Sequence, residues 1–457
     1  MNTKKTQCMI FNKTGKLLKN YKFTYKNSPL ECVREYKYLG FIVTPSGEVR
    51  TGLEDLRRRA IRALSKMRST LGPMFRYNLS NSIHIYNYLV KPILTYCSDY
   101  WGCLQPKNNP VEKVHTMFCR HLLGVRQQTK TEGVLQELGM TPLSLCAIKS
   151  VTKNWERIQQ KKANSLLIIS NESAHRENLP WAANIRKILS TNGMLQEYTQ
   201  KLNETEEVRY GPITRKLNQR LIDQFNQESF GVINTSSKMK VLDLLKKTSG
   251  EETYLTEVTN SKHRMAMTKL RLSGHRLEIE TGRYTRPKTD REERLCSYCQ
   301  HMGEKAVEDE IHFLLKCPMF NEIRESLLPP QNYQNMQLAD ENKFAMVMAN
   351  SEINCLKQTA KFIYLAFEER DIKLDVLKTL TDLVASTEIL LSKNPDPDED
   401  TTATNNNKND TESLGKSLNY KIKNQSHDGL KITLCKPFDY KIKNQSQDGL
   451  KMTLCKI

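Results

Sequence analysis

The amino-acid sequence predicts a mainly α-helical protein with a small β unit at the front, a small metal-binding segment late in the chain and a disordered tail. Three observations predict this. Apolar residues recur at three- and four-residue intervals through much of the chain between residues 50 and 390. Strand-like alternation is confined to residues 7–44. A Cys-x2-Cys pair is followed by His-x4-Cys between residues 296 and 317.

In chain order, residues 1–49 read as short strands at 7–11, 21–25 and 35–44, with Gly15 and Asn27 to Pro29 as turn signals. Pro45-Ser-Gly47 then opens a helical region over residues 50–130. Its first helix aligns Leu53, Leu56, Ala60, Leu64, Met67 and Leu71, and Arg57, Arg58, Arg59, Arg62, Lys66 and Arg68 cover much of the remaining surface. Helices follow at residues 82–100, interrupted at Pro92, and at 111–123, where Val111, Val114, Phe118 and Leu122 line one face. Residues 131–260 form a polar, mostly helical connector in which no chemistry is legible. Residues 261–325 form a basic segment around the cysteines, and 326–392 are helical again, with Phe362, Leu365 and Phe367 expected in the core. From 393 to 457 the composition is too polar to bury itself. The tail ends in a tandem repeat, residues 420–436 and 440–456, with 15 of 17 positions identical. Two copies cannot build a solenoid.

A chain of 457 residues with 38% hydrophobic content has length for roughly two to four domains with real cores. Its 70 basic side chains exceed its 51 acidic ones, a net charge of +19. Residues 1–150 alone hold 24 basic against 9 acidic side chains, so +15 of that excess sits in the first third. Such a surface gains affinity for phosphate backbones by releasing condensed counterions, without reading sequence. RNA or DNA is therefore the expected partner. No secretion signal and no apolar run of membrane-spanning length is visible, so the expected setting is intracellular, with nucleus or cytoplasm undecided. Twelve cysteines there imply reduced thiols and metal ligands.

The ligand candidates are Cys296, Cys299, His312 and Cys317, at spacing Cys-x2-Cys-x12-His-x4-Cys. A tight knuckle can converge the first two thiolates, and one short helix or its end can supply the other pair. Asp309 is placed to cap that helix. Three thiolates and one imidazole fill a tetrahedral shell and leave no position for a catalytic water, so a structural zinc ion is expected. His301 is an alternative ligand, strained by its closeness to Cys299. The basic approach, with Arg271, Arg276, Arg283 and Arg286, is expected to meet nucleic acid beside the metal. No phosphate-binding loop, His-Glu-x-x-His or Gly-x-Ser-x-Gly signature occurs.

Several motifs fall in order along the chain. Asn2-x-x-Lys5-Thr6-x-x-Met9-x-Phe11, followed by Tyr36-Lys-Tyr38-Leu39-Gly40, resembles the last palm motifs of LINE-type, non-long-terminal-repeat retrotransposon reverse transcriptases. Pro92-Ile-Leu-Thr-Tyr96, Trp101-Gly102 and Arg120-x-Leu122-Leu123-Gly124 are similar to that family's helical thumb region. Leu272-x-Gly274-His275, the cysteine pair and Glu308-Asp309-Glu310-x-His312-Phe313-Leu314-x-x-Cys317-Pro318 resemble its C-terminal zinc-knuckle segment. The resemblance covers about residues 1–325. It implies that Lys5 lies near an incoming triphosphate and Tyr38, Leu39 and Gly40 near a primer end. It also implies that the catalytic carboxylates of the palm lie upstream, since no Asp-Asp pair occurs in this sequence. The expectation is a truncated, reverse-transcriptase-derived protein that binds primer-template-like nucleic acid, holds a structural zinc, has no magnesium site and is not an enzyme on its own. The alternatives are a fragment of a longer active polymerase and a zinc-containing protein-interaction module. Oligomeric state is not legible.

Overall fold

The computed structural model describes residues 6–12, 14–17, 21–25, 27–159, 165–203, 212–334, 337–393, 441–443 and 453–455. It is mainly helical with a small N-terminal sheet. The chain divides into two compact units, residues 1–382 and 383–457.

In the first unit, β1 (Gln7–Cys8) lies parallel to β3 (Ser28–Cys32), and β2 (Phe23–Tyr25) lies antiparallel on the other side of β3. The turn expected at residues 27–29 is shorter than the sequence suggests. Asn27, at φ 60°, makes the reversal, and Ser28 and Pro29 already belong to the strand. Pro29 opposes Thr24 one position beyond the pair that closes the turn, where antiparallel geometry asks no N–H of it towards β2. On its other side β1 pairs only with Glu31 and Cys32.

The single strand expected over residues 35–44 is instead a hairpin of β4 (Tyr36–Tyr38) and β5 (Phe41–Val43). Leu39 and Gly40 form its two-residue turn at φ 47° and 89°, the paired positive values that match strand twist. Sequence alternation cannot tell one strand of ten residues from two of three. Gly40 was the available signal.

The first helix, α1 (Arg50–Leu71), buries Leu53, Leu56, Ala60, Leu64 and Met67, as the periodicity predicts. It ends at Gly72, whose N–H bonds Arg68 O at 2.9 Å. Gly52 sits under β5: a Cβ there would lie 2.3 Å from the Phe41 ring and 2.8 Å from Ile42 O. Gly52→Ala should therefore destabilise by about 1–3 kcal/mol despite alanine's better helix propensity. Gly231→Ala, on a helix where a Cβ meets open space, should stabilise by up to about 1 kcal/mol. Urea unfolding of the two variants checks the opposite signs.

After α1 come α2 (Met74–Tyr77), α3 (Leu79–Leu89), α4 (Lys91–Leu94), α5 (Ser98–Trp101) and α6 (Pro110–Leu123). Pro92 does break the expected 82–100 helix: it sits in the first turn of α4, where a residue needs no N–H partner. Asn109 caps α6, accepting from Val111 N at 3.1 Å, and Gly124 at φ 69° ends it. Tyr86 of α3 stacks on Phe118 of α6 at 3.8 Å between ring centres, and its hydroxyl bonds His115 Nδ1 at 2.8 Å.

The connector comprises α7 (Thr131–Glu137), α8 (Leu143–Gln159), α9 (Leu166–Arg176), α10 (Pro180–Thr191), α11 (Leu195–Asn203), α12 (Pro212–Thr235), α13 (Lys240–Leu245) and α14 (Thr253–Glu257). Part of it builds a second apolar cluster around Val151, Trp155, Leu189, Tyr198 and Leu217. The buried Glu156 carboxylate accepts from Ile213 N and the Thr214 hydroxyl, which satisfies the start of α12. Then follow α15 (Ser261–Arg271), α16 (Glu278–Thr281), α17 (Ser297–His301), α18 (Asn321–Leu327), α19 (Pro330–Tyr333), α20 (Asp340–Met348) and α21 (Ile353–Lys393). Phe362 is fully buried with Ile363 and Ala366, while Leu365 and Phe367 are half-buried.

In the second unit, β6 (Lys441–Lys443) pairs antiparallel with β7 (Thr453–Cys455), inside the second copy of the repeat. The first copy lies outside the described residues, as does most of the expected tail.

Candidate metal centre

Cys296, Cys299, His312 and Cys317 converge. Their ligand atoms all lie within 4.8 Å of one another, and the residues are only 1%, 0%, 7% and 1% exposed. Two elements bring them together. The first is a knuckle. Leu295 pairs with Val307 across a short antiparallel bridge, Cys296 N bonds Ala306 O at 2.8 Å, and Cys299 sits in the one-turn helix α17. The chain then turns back through Gly303 at φ 83°.

The second element is a π turn over His312–Lys316, closed by the Cys317 N–H on His312 O at 2.8 Å. Residues five apart diverge on an α-helix. The wider turn brings Cys317 back over His312, so both face the same point. Asp309 caps it as expected, accepting from His312 N at 2.9 Å.

The donor spacing suits a divalent cation. Cys296 Sγ and Cys317 Sγ are 3.9 Å apart, and Cys299 Sγ lies 3.4 Å from His312 Nε2. The corresponding edges of a tetrahedron on metal–sulfur bonds of about 2.3 Å and a metal–nitrogen bond of about 2.0 Å are about 3.8 and 3.5 Å. Hydrogen bonding from Cys317 favours the thiolate of Cys296, and the same bond pushes the Cys317 thiol up; burial pushes Cys299 up to about 12. A divalent metal would favour the thiolate form of all three cysteines. The set could hold a metal and is compatible with zinc.

Residues around the cluster that the sequence reading missed do the positioning. Glu308 accepts two hydrogen bonds from Arg370 of α21, at 2.7 and 2.6 Å, and a third from Glu278 N at 2.7 Å. Glu310 pairs with the buried His275 at 3.0 Å. Arg324 donates to Leu314 O and Cys317 O at 2.9 and 3.0 Å, clamping the last ligand's backbone. The Glu308-Asp309-Glu310 triplet thus carries three separate duties, and only the cap was legible, because the other partners lie far along the chain. His301 is exposed and bonds Ser297 O at 3.1 Å, away from the cluster.

The basic candidates separate into exposed and engaged groups. Arg57 pairs with Glu54 at 3.3 Å; Arg58 and Arg59 share Asp55 at 3.4 and 3.1 Å, with Lys37 beside them at 3.6 Å. Arg62, Lys66 and Arg68 are exposed on α1, and Arg68 meets His121 Nδ1 at 3.2 Å. Arg276 and Arg286 are exposed, and Arg283 is held by Glu280 at 2.7 Å and by Ser237. Arg271 corrects the expectation. It is 1% exposed and locked onto Glu137 and Glu252, with Tyr254 donating to Glu137. Burial alone would lower its pKa, yet those carboxylates raise it. It cannot reach nucleic acid.

Lys5 lies outside the described residues. Tyr38, Leu39 and Gly40 form the exposed tip of the β4–β5 hairpin, where the Tyr96 hydroxyl donates to Leu39 O and Arg59 donates to Gly40 O at 3.0 Å. Among the described residues, no helix is long and apolar enough to cross a membrane. No family model, no curated protein and no solved structure matches the chain.

Proposed function

We propose that this chain is a nucleic-acid-binding protein related to the C-terminal part of a LINE-type reverse transcriptase, with a structural zinc ion on Cys296, Cys299, His312 and Cys317 and no polymerase chemistry of its own. The observation that carries this is a division of labour. The metal ligands are sealed and their shell is closed, whereas the first third's charge excess remains on the surface at Arg58, Arg62, Lys66 and Arg68. A closed Cys3His shell offers shape, and exposed cations offer affinity for phosphate. The kinship is supported by motif order and by the meeting of two motif residues. A Cβ on Gly40 would touch the Tyr96 hydroxyl at 3.4 Å. Zinc, when bound, supplies a folding constraint; His312 and the three cysteines hold it, and Glu308, Asp309 and Arg324 fix their backbone.

Titrating the zinc-loaded full chain with a labelled primer-template tests this. With about four phosphate contacts, affinity should fall about a hundredfold between about 50 and 200 mM salt. Salt-independent binding, or none, overturns it, and extension of the primer overturns the absence of catalysis.

A second reading, a protein-interaction module, is favoured by the exposed Ile372, Val376 and Leu380, four residues apart on α21. It expects His312→Ala to abolish a protein partner while leaving nucleic-acid affinity unchanged.

A further inference from the structure

A cleft of about 430 Å³ opens between the loop after α6, the turn after α15 and the loop after α16, lined among others by Arg126, Lys130, Lys238, Gly274, Thr281 and Tyr284. Its walls are built by internal bonds. Arg120 donates to Thr129 O at 3.2 and 3.0 Å and to the Thr131 hydroxyl at 2.7 Å, which fixes the loop that presents Arg126 and Lys130. Gly124 lets that loop press on α15, since a Cβ there would lie 2.6 Å from Met265 Sδ. On the facing side Gly274 packs against Lys269, with Gly274 N bonding Lys269 O at 2.7 Å, and Arg276 follows in the chain. The loop that follows the Arg120 to Gly124 motif and the Leu272 to His275 segment are thus two rims of one cleft.

The charge here is unbalanced. Among the described residues, Arg126, Lys130, Lys238, Lys269 and Arg276 have no carboxylate within salt-bridge distance, and the cleft's own acid, Glu280, is taken by Arg283. Burial, then Arg276, Arg76 and Arg126, pull the Lys269 ammonium below its ordinary value. Gathering like charges without a counter-charge destabilises the fold, and a phosphate in the cleft relieves it. Tyr284 stands 60% exposed at the mouth, with Lys238 over its ring at 4.7 Å. An exposed ring beside a cationic cleft is a platform for an unstacked base. The volume suits one nucleotide and excludes a duplex.

We infer that this cleft binds the phosphodiester backbone of a single nucleic-acid strand, with Arg126, Lys130 and Lys238 of its lining on phosphate and Tyr284 under a base. The inference rests on the nucleic-acid reading above and gives it a place. Fluorescence anisotropy of the zinc-loaded full chain with a labelled oligouridine of about 20 nucleotides tests it; that length exceeds the one-nucleotide cleft and covers the site sizes of about 4–16 nucleotides typical of strand-binding grooves.

The double variant Arg126→Gln/Lys130→Gln should weaken binding tenfold or more. It should also reduce the salt slope by about 1.4, two phosphate contacts at about 0.7 each. Its melting temperature should stay level or rise, because repulsion has been removed. Arg186→Gln/Lys187→Gln, which removes equal charge from exposed positions on α10, should change affinity less than threefold. Tyr284→Ala should weaken binding severalfold without altering the salt slope. Equal losses in the two double variants overturn the inference while leaving the nucleic-acid reading standing, as does a lower melting temperature with unchanged affinity. Failure of the unmodified chain to bind at all overturns both.

Discussion

Cys299→Ser is expected to abolish zinc binding by the chain and to unfold the segment around residues 294–320, lowering stability by about 5 kcal/mol or more. Structural zinc sites in small peptides contribute about 10–16 kcal/mol of apparent binding energy, which rivals the entire net stability of a domain, about 5–15 kcal/mol. The cluster is buried in the main apolar core, with Cys296, Cys299 and Cys317 beside Phe313, Phe320 and Leu314. His301→Ala, two residues beyond the knuckle's second cysteine, should keep full zinc content and full stability, because its ring faces solvent. Metal analysis and thermal unfolding of the two variants decide the matter. Retention of zinc by the Cys299 variant would remove that thiolate from the ligand set.

Arg271→Met should cost about 3–5 kcal/mol, the usual penalty for leaving one member of a buried ion pair behind. Glu137 is 0% exposed, and in that variant it would keep only the Tyr254 hydroxyl, 2.6 Å away, as a side-chain donor. Glu252 retains Lys246, so the loss concentrates on Glu137. Arg286→Met, from the same basic stretch of sequence but exposed, should change stability by no more than about 0.5 kcal/mol. Urea unfolding compares them. Equal, small effects would mean that the buried network contributes nothing net.

These two arginines show where sequence reasoning stops. Both lie in a run of basic residues ahead of the cysteines, and composition alone gives them one role. Their fates differ because Arg271 finds Glu137 at 134 positions' separation, a contact that no local pattern announces. Helix faces were legible where burial follows a simple period, as on α1 and α6. The metal ligands were legible because their chemistry fixes residue type and spacing together. The hairpin at Leu39 was hidden, since leucine at positive φ contradicts its own preference and only Gly40 marked the turn. The cleft was hidden too, because its rims, at Arg126 to Lys130 and Leu272 to His275, lie about 150 residues apart.

The pairing of Glu308 with Arg370 imposes an order of events during synthesis. The four candidate metal ligands lie within a separation of 21 positions, Cys296 to Cys317, a short loop that closes cheaply. Arg370 lies 62 residues beyond Glu308. At about 5–20 residues per second, the ribosome delivers it some 3–12 s later. The metal loop can therefore close on the nascent chain while the Glu308 carboxylate still faces water. Arrival of α21 then removes that carboxylate from solvent, as Arg370 closes on it.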